Sequence, residues 1–150
     1  MITYIKATQE HIDLLMDIRM EMLRIVNGLS DKYVYDEDFV IQSRKYFEEG
    51  DQTTFLAMDG DTVVGCASLS YIWIMPTFSH PTGKRAHLMN VYTNQSYRRM
   101  GIARRLVELL IEEARTQGVT EISLDATDMG RPLYEALGFK ASDEAMVLNL

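Results

Sequence analysis

Residues 86–114, AHLMNVYTNQSYRRMGIARRLVELLIEEA, decide how the rest of this chain is read. In the second half, Ile102, Leu106, Leu110 and Ala114 recur at the spacing of one buried helical stripe, with Ala103, Val107 and Ile111 beside them. The charges run against a helix left alone. Arg98, Arg99, Arg104 and Arg105 crowd the N-terminal end, and Glu108, Glu112 and Glu113 lie further along. A helix N-terminus carries about +0.5 of an elementary charge, so cations are disfavoured there. Four arginines within eight residues add repulsion even in a chain of formal net charge -7. Gly101 costs up to about 1 kcal/mol relative to alanine in a helix interior. In return it offers free backbone N–H donors that another group can approach closely. A bound polyanion, in the form of a phosphorylated ligand, explains all three features.

Working outward, the helix is expected over 99–117, residues 86–93 read as the strand that feeds it, Gly118 as its C-cap, and 120–126 (TEISLDA) as the next strand. Strand, helix and strand in that order imply a right-handed crossover and locally parallel strands. Toward the N-terminus, 62–73 (TVVGCASLSYIW) and 53–58 (TTFLAM) flank Asp59-Gly60, a hairpin signal. Pro76 and Pro81 mark an exposed loop after that hairpin. A helix is expected from Asp36 to Gly50, burying Phe39, Val40, Tyr46 and Phe47. Another is expected over 9–27, capped by Thr8 and ended by Gly28, with Ile12, Leu15, Ile18, Met22 and Val26 as its apolar stripe. Residues 2–6 (ITYIK) form a first strand. A short helix holds Leu133, Tyr134 and Leu137 and ends at Gly138, and 139–149 are expected to return as one or two antiparallel strands. The class is α+β, a mixed sheet with helices on its faces.

Length and composition bound the function. The 150 residues are most simply one domain, residues 1–150, and 47% hydrophobic with 25% charged residues is ordinary for a soluble globular chain. One cysteine, Cys66, excludes an internal disulfide and fits a reducing cytoplasm. No signal-peptide pattern opens the chain, and no apolar run approaches the roughly 20 residues needed to span a membrane. A pI near 4.9 argues against general nucleic-acid binding.

Arg98-Arg99-Met100-Gly101-Ile102-Ala103 fits the pattern R/Q-x-x-G-x-G/A, and Pro132-Leu133-Tyr134-Glu135-Ala136-Leu137-Gly138-Phe139 is close to the element LYEKLGF. With HLMNVYT before them and ISLDA between, these resemble the GNAT superfamily of acetyl-CoA-dependent N-acetyltransferases over roughly residues 86–140. The resemblance implies an α/β/α layered, mostly antiparallel mixed sheet with a central splayed parallel strand pair. It also implies that Arg98, Arg99, Met100, Gly101, Ile102 and Ala103 wrap the coenzyme A pyrophosphate. In the matching strand a bulge exposes backbone around Val91 and Thr93, where the pantetheine arm pairs like an added strand. An N–H near Val91 would polarise the thioester carbonyl as its oxygen gains charge. Tyr134 matches the tyrosine that protonates the departing thiolate, and a phenol with a pKa of about 10 holds its proton at neutral pH. The family often has an asparagine where Thr127 stands, so that contact is not carried over.

Several residues keep two readings. Tyr134 taken alone is as readily a core residue of a short helix. Asn90 either satisfies backbone at the bulge or faces the acceptor. His80 and His87 are candidate bases or surface residues, and Asp125 a ligand-facing or a turn residue. The acids Asp36, Glu37, Asp38, Glu48, Glu49 and Asp51 read as a solvated helix, or as a lure for a cationic amine if they border the cleft. Cys66 is assigned no catalysis. The expectation is an acyltransferase that moves acetyl from acetyl-CoA to a primary amine of a small molecule or peptide by direct attack. No metal, nucleic acid or membrane is involved, and a dimer is common among similar proteins. The rival is a non-catalytic acyl-CoA-binding sensor or interaction module.

Overall fold

The computed structural model describes the whole chain, Met1–Leu150. In chain order its elements are β1 (Ile2–Lys6), α1 (Ile12–Val26), α2 (Glu37–Glu49), β2 (Gln52–Asp59), β3 (Thr62–Trp73), β4 (Lys84–Thr93), α3 (Ile102–Thr116), β5 (Ile122–Leu124) and α4 (Arg131–Ala136). The strands form one sheet in the order β1-β2-β3-β4-β5. The first four are antiparallel neighbours, and β5 joins β4 in parallel. None of the helices is long and apolar enough to cross a membrane.

Each face of the sheet has its own core. Leu106, Val107, Leu110 and Ala114 of α3 pack on Ala57, Val64, Ala67, Leu69 and Leu88. On the other face Leu15, Met16, Ile18 and Met22 of α1, with Phe47 of α2, cover Leu56, Met58, Cys66 and Tyr92. Alternation along β2 and β3 sends successive side chains to opposite faces, which is why the middle of each strand is buried on both sides.

The expected boundaries hold with informative differences. Thr8 caps a short 3-10 turn, Gln9–His11, through reciprocal bonds with His11, and α1 begins only after it. Val26 lies beyond the core and is exposed, as is Phe39 at the start of α2. The hairpin turns through Gly60-Asp61, one residue later than expected, with Gly60 at φ +61°. Helix α3 starts at Ile102 and not near 99, because Arg99 and Gly101 both take the left-handed region. The tail corrects an expectation: residues 139–150 add no strand. Met146, Val147, Leu148 and Leu150 point into solvent, with no neighbouring strand to bury them. The parallel pair therefore sits at one edge of the five-stranded sheet.

Candidate active site

Two local departures from regular structure leave one edge of β4 open. The first is a bulge. Ser68 pairs with Met89 and Cys66 with Tyr92, so Ala67 alone opposes both Asn90 and Val91. Asn90 takes φ +60°, a conformation that asparagine tolerates better than most residues. The second is an early parting of the parallel pair. β4 and β5 are bonded only from Ala86 to Leu88 and from Ile122 to Leu124. Beyond Leu88 the edge of β4 that carries Val91 and Thr93 has no strand beside it. The Thr93 hydroxyl is buried there without a hydrogen-bond partner, and buried polar atoms are seldom left so.

Just past this open edge lies the start of α3. Asn94 caps the short turn Gln95–Tyr97 by accepting from the Ser96 N–H. The chain then runs through Arg98, Arg99, Met100 and Gly101 into the helix. None of the backbone N–H groups from Arg99 through Arg104 meets a main-chain acceptor; the first such bond is Arg105 N–H to Gly101 O at 3.0 Å. Left-handed Arg99 and Gly101 (φ +63° and +75°) curl this stretch into a concave nest of donors. A Cβ on Gly101 would meet nothing within 4 Å, so its glycine is required by backbone conformation and not by crowding. Met100 and Gly101 are exposed, Ala103 is half-buried, and Ile102 is in the core.

The arginines divide into two kinds. Arg104 and Arg105 reach Glu108 at 2.9 Å and 3.7 Å, so their charge has an internal partner. Arg98 donates only to the Thr93 carbonyl, at 3.5 Å, and Arg99 has no carboxylate within reach. The anion expected from four arginines thus rests on two of them together with the nest. The residues present fit a pyrophosphate: unpaired amide donors, a helix N-terminus and two uncommitted guanidinium groups.

Tyr134 stands on α4, half-buried against the α3 core, with its ring edge-on to Phe139 at 5.9 Å between centroids. Burial pushes its pKa above the usual phenol value. Its hydroxyl has no partner within the protein, so it is a protonated donor in search of an acceptor. Thr127 accepts from the Gly130 N–H at 3.1 Å and shapes the turn into α4, a structural use of the position where asparagine is common.

The remaining candidates sort themselves by their contacts. His80 bonds Thr120 at 2.9 Å and approaches Glu121 at 3.4 Å, fastening the long loop to the start of β5. His87 bonds Ser123 at 2.8 Å and lies 3.7 Å from Asp125, across the closed part of the parallel pair. Cys66 is buried and donates to the Asn90 carbonyl at 3.2 Å; burial drives its pKa up to about 12, which keeps the thiol inert. The Asn90 side chain satisfies no backbone group at the bulge; it bonds the side chains of Arg19 and Ser68. The left-handed Asn90 backbone makes the bulge, and the amide oxygen accepts from Arg19 Nη1 at 3.0 Å.

Arg19 itself is a residue the sequence reading passed over. A signal was available: it falls four residues after Leu15 and three before Met22, in the middle of the apolar stripe of α1. Glu21 is another, accepting from Tyr92 OH at 2.8 Å and from the Asn94 side chain at 3.3 Å.

The match to a family is extensive. The profile of the acetyltransferase (GNAT) family fits residues 13–139. The chain belongs to that family. Glucosamine 6-phosphate N-acetyltransferase of Trypanosoma brucei brucei is 35% identical over 88 residues, 59% of this chain and 58% of that protein. Human N-acetyltransferase 8 is 29% identical over 108 residues, 69% of this chain and 45% of that protein. The chain thus spans about half the length of the curated relatives it matches. A predicted acetyltransferase of Clostridium acetobutylicum, solved with acetyl-CoA, superposes with a TM-score of 0.85 at 29% identity, covering 99% of this chain and 96% of that one. A GCN5-related N-acetyltransferase of Ralstonia eutropha JMP134 shares the fold, with a TM-score of 0.80 at 22% identity over 99% of both chains.

Proposed function

We propose that this chain transfers the acetyl group of acetyl-CoA to a primary amine of a small molecule or peptide by direct attack. The observation that carries the proposal is the run of unsatisfied N–H groups from Arg99 to Arg104, curled by Gly101 and flanked by Arg98 and Arg99. In this reading the amides of Arg99, Met100, Gly101, Ile102 and Ala103 hold the pyrophosphate of the coenzyme. The open edge of β4 at Val91 and Thr93 receives the pantetheine arm, and the N–H near Val91 stabilises the thioester oxygen as it gains charge. The amine nitrogen bonds to the carbonyl carbon and the carbon–sulfur bond breaks. Tyr134 gives its proton to the departing sulfur, and the proton lost by nitrogen restores the phenol through solvent. The gain in rate comes chiefly from alignment of two reactants. The trypanosomal relative's name supplies one amine of the small-molecule class, glucosamine 6-phosphate. The single buried thiol fits a reducing compartment, so the cytoplasm is the proposed location.

Calorimetry with acetyl-CoA, CoA and ATP tests this reading. Binding of both coenzyme forms with ATP clearly weaker supports it, and no affinity for either coenzyme form sinks it. Acceptor-dependent thiol release across an amine panel then separates an enzyme from a module that only holds acyl-CoA.

A further inference from the structure

The α1/α2 face of the sheet contains a cation placed where a cation is expensive. Arg19 lies on the buried stripe of α1, half-buried between the helix and β4. Desolvation lowers its pKa from the usual guanidinium value. Five of the other fourteen lysines and arginines pair with carboxylates: Lys6 with Glu113, Arg44 with Asp13, Arg85 with Glu121, and Arg104 and Arg105 with Glu108. Arg19 has no carboxylate within 4.0 Å. Its one side-chain partner is the neutral amide oxygen of Asn90, met through Nη1. A guanidinium carries five N–H donors. The others have no partner within the protein, and none is sealed away as a buried orphan. A charge removed from water without a counter-charge is destabilising, so this position is poorly explained by stability.

Its surroundings suggest what completes it. Asn90 is the bulge residue, and the next residue is Val91, one Cα step of about 3.8 Å along the strand. On the same face stand uncharged polar groups: Ser68, which receives the Asn90 amide at 3.5 Å, and Ser70, bonded to Tyr46 OH. Arg19 packs with the α1 face of the sheet, whereas the amide nest begins α3 on the other face, so β4 separates the two. The coenzyme phosphates therefore do not account for Arg19.

We infer that Arg19 is a specificity residue that binds an anionic group, a carboxylate or a phosphate, on the acceptor amine. The inference rests on the acetyltransferase reading. Asn90 holds the fork from one side and leaves its remaining donors to the acceptor, in the bidentate geometry that suits both anions. The anion neutralises a charge the fold leaves bare, close to the carbonyl that the amine must reach. Polyamines, which bring further positive charge to that point, are poor acceptors.

The test is a set of matched acceptors with acetyl-CoA: phosphoethanolamine against ethanolamine, and β-alanine against β-alaninamide. The native enzyme is expected to prefer the anionic member of at least one pair by on the order of ten- to a hundredfold in kcat/KM, the range of one hydrogen bond to a charged group. Which pair shows the preference tells phosphate from carboxylate. Arg19→Gln, which can still donate to Asn90, is expected to bring the ratio near one, and Arg19→Lys to keep part of it. No preference in the native enzyme, or equal losses on both members in R19Q, overturns the inference. Calorimetric titration of each amine into CoA-loaded protein covers the case of slow turnover: anionic binding abolished by R19Q supports the inference, and its absence in the native protein overturns it. Acetyl-CoA titration run beside it separates the two failures. Coenzyme binding without anion preference removes only the role of Arg19; no coenzyme binding removes the acetyltransferase reading and the inference with it.

Discussion

The two halves of β4 differ in pairing and in burial. From Ala86 to Leu88 the strand is bonded on both edges and buries its even-numbered side chains under α3. From Asn90 to Thr93 it is bonded on one edge only, bulged, and leaves a hydroxyl without a partner. The same strand is thus a structural member at its start and an open, unpaired edge at its end, the edge that the proposed function assigns to the coenzyme. Substitutions in the first half are expected to move stability, and those around the second half to move binding and turnover.

The comparison breaks most visibly at Tyr134, across the opening. Tyr134→Phe is expected to lower kcat by about a hundredfold or more, the usual contribution of a positioned acid, with the acetyl-CoA dissociation constant little changed. An unaltered kcat would remove the phenol from the chemistry. In the closed half, Leu88 is 3% exposed. Leu88→Ala is expected to cost about 2–5 kcal/mol in urea unfolding while the surviving folded protein keeps its Tyr134-dependent rate. Gly101→Ala comes next. Its Cβ is unobstructed, so the loss is the left-handed strain, about 1–2 kcal/mol, seen as weaker acetyl-CoA binding if the nest relaxes.

A pH series sharpens the same contrast. Burial, the largest cause, raises the Cys66 thiol from 9.0 to about 12, with Glu21 adding to it and Arg19 opposing. A folded pKa above the unfolded one means the native state holds the proton more firmly. The contribution is intact below pH 9 and is lost as pH climbs toward 12, with a slope of up to about 1.4 kcal/mol per pH unit. Tyr46, Tyr71 and Tyr134, also raised by burial, add losses from about pH 10 upward. Urea midpoints should fall across this window and fall less steeply in Cys66→Ala; a flat profile would contradict the enclosure of the thiol beside the bulge. The smallest effect is expected at His87, whose contact with Asp125 spans 3.7 Å at an exposed carboxylate. His87→Ala should change stability by less than about 1 kcal/mol and kcat by less than threefold; a large rate loss would make it the missing base.

The helices and the hairpin were legible because each has a periodic stripe and a chemical stop: Gly28, Gly50, Gly60 and Gly118 all fall where elements end or turn. The opening of the parallel pair was not, since nothing in LMNVYT taken alone says where a neighbour departs. It came from resemblance, and only the pairing register located it. Counting arginines overstated the anion site, because Glu108 answers two of them from about one helical turn away, a pairing that charge patterning could have suggested. The tail misled for a related reason. An apolar tail forms a strand only if a partner edge is supplied, and here Met146 to Leu150 lie in the open. Arg19 was overlooked because a cation on an apolar stripe looks like an interruption of the pattern.

One consequence follows from the nest being made of main chain. Amide donors belong to every residue but proline, so exchanging the exposed Met100 side chain for nearly any other leaves the same hook in place. Apart from Arg98 and Arg99, whose guanidinium groups add to the site, side-chain exchanges in this loop should matter little, with sharp losses reserved for proline along it and for any residue that forbids Gly101 its left-handed turn. If the nest holds the coenzyme as proposed, tolerance to drift is built into its grip.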